Sequence, residues 1–143
     1  MLSYLVDMFK CKVFTVGRCR EPWLAEALEE YEKRLKGSCS IEWILCKSNA
    51  QLIQYAEEVG PFITLDPYGQ LLDSEALSRK LWSSARLSFF IGGAEGLPKE
   101  ILQRATWSWS LSPLTFPHQL VRLIWMEQIY RSITIFQGLP YHK

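Results

Sequence analysis

No apolar run in the 143-residue chain reaches the roughly 20 residues that a bilayer requires, because charge interrupts each one, so no membrane span is expected. A surplus of charge is also missing. Lys plus Arg number 16 against 15 Asp plus Glu, a formal +1. Nonspecific adhesion to free nucleic acid needs many uncompensated cations, so a nucleic-acid partner would have to be recognised by shape or within a larger assembly. Histidine is scarce: only His118 and His142 occur, without paired carboxylates near them in sequence, and no metal site is expected. The four cysteines, Cys11, Cys19, Cys39 and Cys46, have neither C-x-x-C spacing nor the density of a secreted scaffold. They read as reduced thiols of a cytoplasmic protein. Also lacking are a G-x-G-x-x-G or Walker sequence and a G-x-S-x-G elbow, which argues against dinucleotide, triphosphate and serine-hydrolase chemistry. The N-terminal stretch contains Asp7 and has neither a basic n-region nor a long apolar core, so it is not read as a signal peptide. With Met8 just ahead of the first strand pattern, residues 1–7 are expected to be a dispensable extension.

What the chain does have is apolar content, 48%, in a length that suits one domain over residues 1–143. Strand and helix patterns alternate throughout. Lys12 to Val16 reads as a strand, followed by a helix that Pro22 opens and Gly37 stops. Ile41 to Leu45 is a second strand, and Ser48 with Gln51 forms a capping box for a helix that Gly60-Pro61 ends. Phe62 to Leu65 is a short buried strand; Asp73 or Ser74 caps a third helix; Leu87 to Ile91 is a nearly continuous apolar strand. Pro98 opens a short helix, Trp107 to Ser112 alternates large apolar residues with serine as a fifth strand, and a last helix runs from about His118 to Phe136. Such βα repetition implies an α/β fold, a mostly parallel sheet with helices on both faces.

Ligands of open parallel sheets bind beyond the carboxyl ends of the strands. That directs attention to Asp66-Pro67-Tyr68-Gly69, to Gly92-Gly93-Ala94-Glu95-Gly96, and to Ser112-Pro113-Leu114-Thr115-Phe116-Pro117. Taken alone, Gly92, Gly93 and Gly96 are better explained by a strand-to-helix turn than by a ligand. The third loop is odd for a turn, because prolines and large apolar side chains stand where exposure favours small polar ones. Burial against a ligand or a second subunit would explain it. In the last helix Leu120, Ile124, Glu127 and Arg131 share one stripe, which fits either a peripheral i,i+4 ion pair or a polar pocket at a site or interface. The tail Tyr141-His142-Lys143 is ordinarily a frayed end.

The segments Val13-Phe14-Thr15-Val16-Gly17, Thr64-Leu65-Asp66, Ile91-Gly92-Gly93-Ala94-Glu95-Gly96-Leu97, Trp109-Ser110-Leu111-Ser112, Leu114-Thr115-Phe116-Pro117-His118-Gln119-Leu120-Val121-Arg122, Glu127-Gln128-Ile129-Tyr130-Arg131 and Tyr141-His142-Lys143 occur in this order. Together they resemble the RlmH family of small SPOUT-class methyltransferases, which modify N3 of a pseudouridine in large-subunit (23S) ribosomal RNA. The likeness runs from about Lys10 to Lys143; residues 1 to about 7 have no counterpart in it.

The resemblance implies S-adenosylmethionine as methyl donor, a homodimer, a C-terminal trefoil knot, and large-subunit rRNA within the assembled ribosome as partner. Its cofactor positions fall on Leu65, Gly92, Leu111, Ser112, Pro113, Leu114, Thr115 and Phe116, in the three loops selected above. A Gly92→Val change is expected to fill ligand space with modest loss of stability. For the reaction, the pseudouridine imide must lose a proton, and the charge left on its carbonyls calls for donors such as His118, Arg131, His142 or Lys143. Glu127 would orient Arg131 or relay the proton. Tyr141 and His142 are expected to reach from one subunit over the pocket of the other, with Tyr141 stacking on the base. The rival readings are a noncatalytic RNA-binding module of the same fold and a flavodoxin-like nucleotide-binding protein.

Overall fold

Phe89 and Phe90 are consecutive and both fully buried, so the strand that carries them, β4 (Arg86–Ile91), is covered on both faces. The computed structural model describes residues 8–143, and the expected extension at residues 1–7 lies outside them. On one face Phe89 belongs to a core shared with Leu24 and Leu28 of α1 (Pro22–Leu35), Leu77 and Leu81 of α3 (Ser74–Leu81), and Trp125, Met126, Ile129 and Ile133 of α5 (His118–Gln137). On the other, Phe90 packs with Leu52 and Ala56 of α2 (Asn49–Glu58) and Ile101 of α4 (Lys99–Arg104). Phe14 of β1 (Phe9–Val16) stacks on Phe90 at 4.7 Å, whereas Val13 belongs to the opposite core.

The remaining strands are β2 (Cys39–Cys46), β3 (Ile63–Leu71) and β5 (Trp107–Ser110), and all neighbours pair in parallel in the order β2-β1-β4-β3-β5. A flavodoxin-like sheet has the order 2-1-3-4-5. The exchange of β3 and β4 therefore overturns the flavodoxin-like alternative.

Capping follows local chemistry. Ser48 Oγ accepts from the Gln51 N–H at 3.2 Å, while the Gln51 side chain reaches the Lys47 N–H, one residue earlier than a regular capping box would place it. Asp73, not Ser74, caps α3 by accepting from the Ala76 N–H at 2.8 Å. Gly138, in the left-handed region at φ 72°, ends α5.

Several strand ends differ from the sequence expectation; β2, for one, runs Cys39–Cys46 rather than Ile41 to Leu45. β1 begins at Phe9 because buried Phe9 and Cys11 continue its alternation. β5 stops at Ser110, since beyond it the Ser112 hydroxyl accepts the Leu114 N–H and turns the chain. β3 does not end at Leu65: its pairing with β5 shifts register between Leu65 and Gln70, so Asp66-Pro67-Tyr68-Gly69 forms a bulge within a longer strand.

Candidate functional site

The carboxyl ends of β3, β4 and β5 surround a cavity of about 630 Å³, within the usual ~300–1,000 Å³ of small-molecule sites. Leu65, Gly92, Leu111, Ser112, Leu114, Thr115 and Phe116 line it, as does His118 at the start of α5. Pro113 is the one expected cofactor residue outside the lining. Gly96 and the Asp66, Pro67 and Tyr68 of the β3 bulge, all in loops to which the sequence directed attention, also line the wall, as do Leu97, Leu102 and Val121, which sequence reasoning had not singled out as site residues. Val121 and Leu97 carried no separate signal, being indistinguishable from core aliphatics.

Two glycines shape this wall by letting backbones touch. A Cβ on Gly69 would lie 2.7 Å from the Ser108 carbonyl carbon and oxygen, so the bulge folds down onto β5 only with glycine there. A Cβ on Gly92 would lie 2.7 Å from the Gly96 carbonyl carbon and 2.8 Å from the Leu97 nitrogen. The space beside Gly92 is thus filled by the next turn of its own loop, not kept for a ligand. This corrects the expectation that Gly92→Val costs little stability.

The bulge is pinned at Pro67 and Tyr68. Ser110 Oγ donates to the Pro67 carbonyl at 3.0 Å, and the Tyr68 N–H donates to Asp66 Oδ1 at 3.1 Å. Beneath it, the Thr64 and Ser108 hydroxyls pair at 2.7 Å. The serine face of β5 therefore meets hydroxyl and carbonyl partners on β3.

A second polar assembly lies on α5, and its members do not line the cavity. Glu127 Oε2 accepts from Arg131 Nη2 at 2.7 Å and from the Tyr141 hydroxyl at 2.9 Å, while Oε1 accepts from Gln128 Nε2 at 2.8 Å. Gln128 in turn takes a hydrogen bond from Ser74 at 2.9 Å. Arg131 Nη1 lies 3.1 Å from His142 Nδ1, and the other ring nitrogen of His142 faces Glu75 at 3.6 Å. Tyr141 is engaged on its ring as well: the Arg131 guanidinium sits 4.7 Å from its centroid, and Tyr130 meets it edge-on at 4.7 Å. Burial, then the bonds to Glu127 and Tyr31, push the Tyr141 hydroxyl pKa well above its ordinary value. The hydrogen bond to Glu127 holds the Arg131 guanidinium above its own.

Of the six residues expected to act on the acceptor, four (Glu127, Arg131, Tyr141 and His142) are thus brought into one network. His118 stands apart at the cavity, and Lys143 is exposed. The stripe noted in the sequence is an i,i+4 ion pair, extended by the tail folding back on it. Among the described residues, no group of three or more His, Cys, Asp or Glu is placed to hold a metal, and no helix is long and apolar enough to cross a membrane.

Comparison with known proteins adds a lineage to this geometry. Residues 9–142 match a family described as "Predicted SPOUT methyltransferase". The sequence is 45% identical over 141 residues to the ribosomal RNA large subunit methyltransferase H of Protochlamydia amoebophila, covering 95% of this chain and 100% of that one. It is 37% identical over 136 residues to the protein of the same name from Thermus thermophilus, covering 94% and 98%. In fold it resembles the SpoU methyltransferase AviRb of Streptomyces viridochromogenes, solved with AdoMet. The TM-score there is 0.54 at 10% identity, over 98% of this chain and 63% of that one.

Proposed function

The chain belongs to the SPOUT methyltransferase family, and from that premise we propose that it transfers a methyl group from S-adenosylmethionine to N3 of a pseudouridine in large-subunit rRNA. On this reading it acts as a homodimer, in the cytoplasm, on the assembled ribosome. The names of the relatives support an rRNA substrate, and the AdoMet complex of AviRb supports the donor.

The cavity suits that donor chemically. Aliphatic and aromatic walls from Leu65, Leu111, Leu114 and Phe116 accept a flat adenine, and the glycine-bounded loops leave backbone N–H and C=O groups to meet its edge. Asp66 and Ser112 add polar groups for the ribose and amino-acid end. Bound there, S-adenosylmethionine supplies a methyl group on a sulfonium, already activated toward a ring nitrogen. What the protein must add is alignment and a dry, polar cradle for the acceptor.

That cradle is the α5 network. Arg131 and His142, with Lys143 and His118, are donors suited to the negative charge that spreads over the imide carbonyls as the N3 proton leaves. Glu127, whose two oxygens already accept three hydrogen bonds, serves to hold Arg131 and Tyr141 rather than to take a proton. The observation that carries the reading is the separation of the two halves. The donor cavity and the tail network do not share lining residues within one chain, and a homodimer in which one subunit's tail approaches the other's cavity unites them. The apolar Leu120 and Ile124, half-exposed on α5 and part of neither core, suit that subunit contact. The knotted path belongs to the same proposal. α5, which follows the edge strand β5, returns to the β1 end, where Arg122 is bonded to Val16 and Gly17.

The test is methyl transfer from labelled S-adenosylmethionine to 70S ribosomes and to free 23S rRNA, with nucleoside mass spectrometry. Label in N3-methylpseudouridine, and preferentially from 70S, is the expected result. Label in another nucleoside would overturn the proposed target, and saturable RNA binding without cofactor binding would point to a noncatalytic RNA module.

A further inference from the structure

Tyr68 is 95% exposed, the most exposed of the large apolar or aromatic side chains among the described residues, and it lines the mouth of the donor cavity. A tyrosine at a loop tip gains nothing from standing in water, and a floppy loop could fold it down. This loop cannot do so freely. Its backbone is fixed by the Ser110–Pro67 and Tyr68–Asp66 hydrogen bonds and by Gly69 lying on the β5 backbone with no room for a Cβ. The bulge interrupts the β3–β5 ladder, and what it presents is one aromatic ring. A second apolar side chain, Leu114, lines the same cavity from the loop after β5 and is 69% exposed. The mouth therefore carries an aromatic plate on one loop and an aliphatic one on another.

Tyr141, the aromatic residue that the sequence had offered for stacking, is occupied by Arg131, Tyr130 and Glu127. We infer that Tyr68 is the stacking platform: an unstacked base of the RNA substrate lies on its ring at the mouth of the donor cavity, while Tyr141 anchors the tail. This inference rests on the RNA methyltransferase reading. Aromatic side chains hold single-stranded bases in this way, and a base delivered at the rim is positioned over the donor without crossing the protein surface.

The experiment compares wild type, Tyr68→Ala and Tyr68→Phe in methyl transfer to 70S ribosomes, with S-adenosylmethionine affinity by calorimetry and subunit state by sedimentation. Tyr68→Ala should raise KM for ribosomes at least about fivefold, the scale of losing one base stack, with kcat within about twofold. Tyr68→Phe, which keeps the ring and loses the hydroxyl, should restore the wild-type KM. Cofactor affinity and subunit state should not change. An unchanged KM in an active Tyr68→Ala protein overturns the stacking role alone. A parallel loss of cofactor affinity would make Tyr68 part of the adenine site, and loss of the dimer would make it a subunit contact; either refutes the inference. A wild-type protein inert toward every ribosomal substrate overturns the RNA reading itself, and the platform with it.

Discussion

The hydroxyl of Tyr141 lies 2.9 Å from Oε2 of Glu127, which ties the end of the chain to the middle of α5. Arg131 shares that oxygen and also covers the Tyr141 ring, so the tail is fixed by a hydrogen bond and a cation–π contact at once. A terminal tripeptide held this way is not a frayed end. It brings His142 to Arg131 and makes a donor cluster out of residues eleven positions apart.

The first prediction concerns alkaline pH. Burial and the bond to Glu127 raise the Tyr141 pKa above the ordinary tyrosine value of about 10, so the docked tail holds the neutral phenol. The folded state then keeps a proton that the unfolded chain has lost, and stability falls as pH rises above that value. The contribution is fully present below pH ~10 and disappears as pH passes through the raised value. The stability advantage of wild type over Tyr141→Phe, read from urea midpoints, should shrink between about pH 9 and pH 11. A constant difference would mean that Tyr141 titrates normally.

Gly92 and Gly93 should respond differently to alanine. At Gly92 the new methyl meets Gly96 and Leu97 backbone under 3 Å away, whereas at Gly93 the nearest atom is Val16 Cβ at 3.4 Å and the nearest backbone atom, the Val16 carbonyl oxygen, is 3.9 Å away. Gly92→Ala is expected to cost about 1–3 kcal/mol, the scale of overpacking against groups that cannot step aside, and to weaken cofactor binding as the loop shifts. Gly93→Ala should stay within about 1 kcal/mol of wild type. Thermal unfolding and calorimetry decide; equal melting of the two variants contradicts the placement of the loop.

Arg122 is a buried cation that ties α5 to the end of β1. It is 2% exposed, its Nη2 donates to the Val16 and Gly17 carbonyls at 3.0 and 2.8 Å, and burial drives its pKa down. Arg122→Met keeps the volume but strips both carbonyls of their donor, which should cost about 1–3 kcal/mol. A variant as stable as wild type in urea would show that water satisfies those carbonyls equally well.

Ile124 is half-buried, with no place in either core. If α5 is the subunit contact, Ile124→Asp should convert a dimer to a monomer in sedimentation at micromolar concentration while leaving the circular dichroism spectrum intact. A wild-type monomer, or a dimeric variant, removes α5 from the interface.

Much of this site was legible because its residues are out of place for their context. Leu114 and Phe116 stand among prolines in a loop, and both line the cavity. Phe89-Phe90 required cover on both faces and received it. The bulge was not legible, since Asp66-Pro67-Tyr68-Gly69 has the composition of a plain turn and only the pairing of Gln70 and Leu71 with β5 shows that the strand resumes. Arg122 was hidden for the opposite reason: a guanidinium in an amphipathic helix ordinarily faces water, and its carbonyl partners lie more than a hundred positions away. The role of Gly92 was misjudged because sequence locates a glycine without saying what its missing side chain makes room for.

The most direct test of a site shared between subunits mixes two damaged chains. One lacks Tyr141 to Lys143; the other carries Thr115→Trp, which places a bulky ring in the donor cavity from an exposed position and spares both cores. Each homodimer should transfer methyl groups at least ~100-fold more slowly than wild type, the scale of losing groups that position the acceptor and offset its charge. In the purified heterodimer one site has an intact cavity from the first chain and an intact tail from the second, so activity should return to about half the wild-type rate per dimer. Verified heterodimers that remain as inactive as their parents would contradict the shared site, as would full activity of the tail-deleted homodimer.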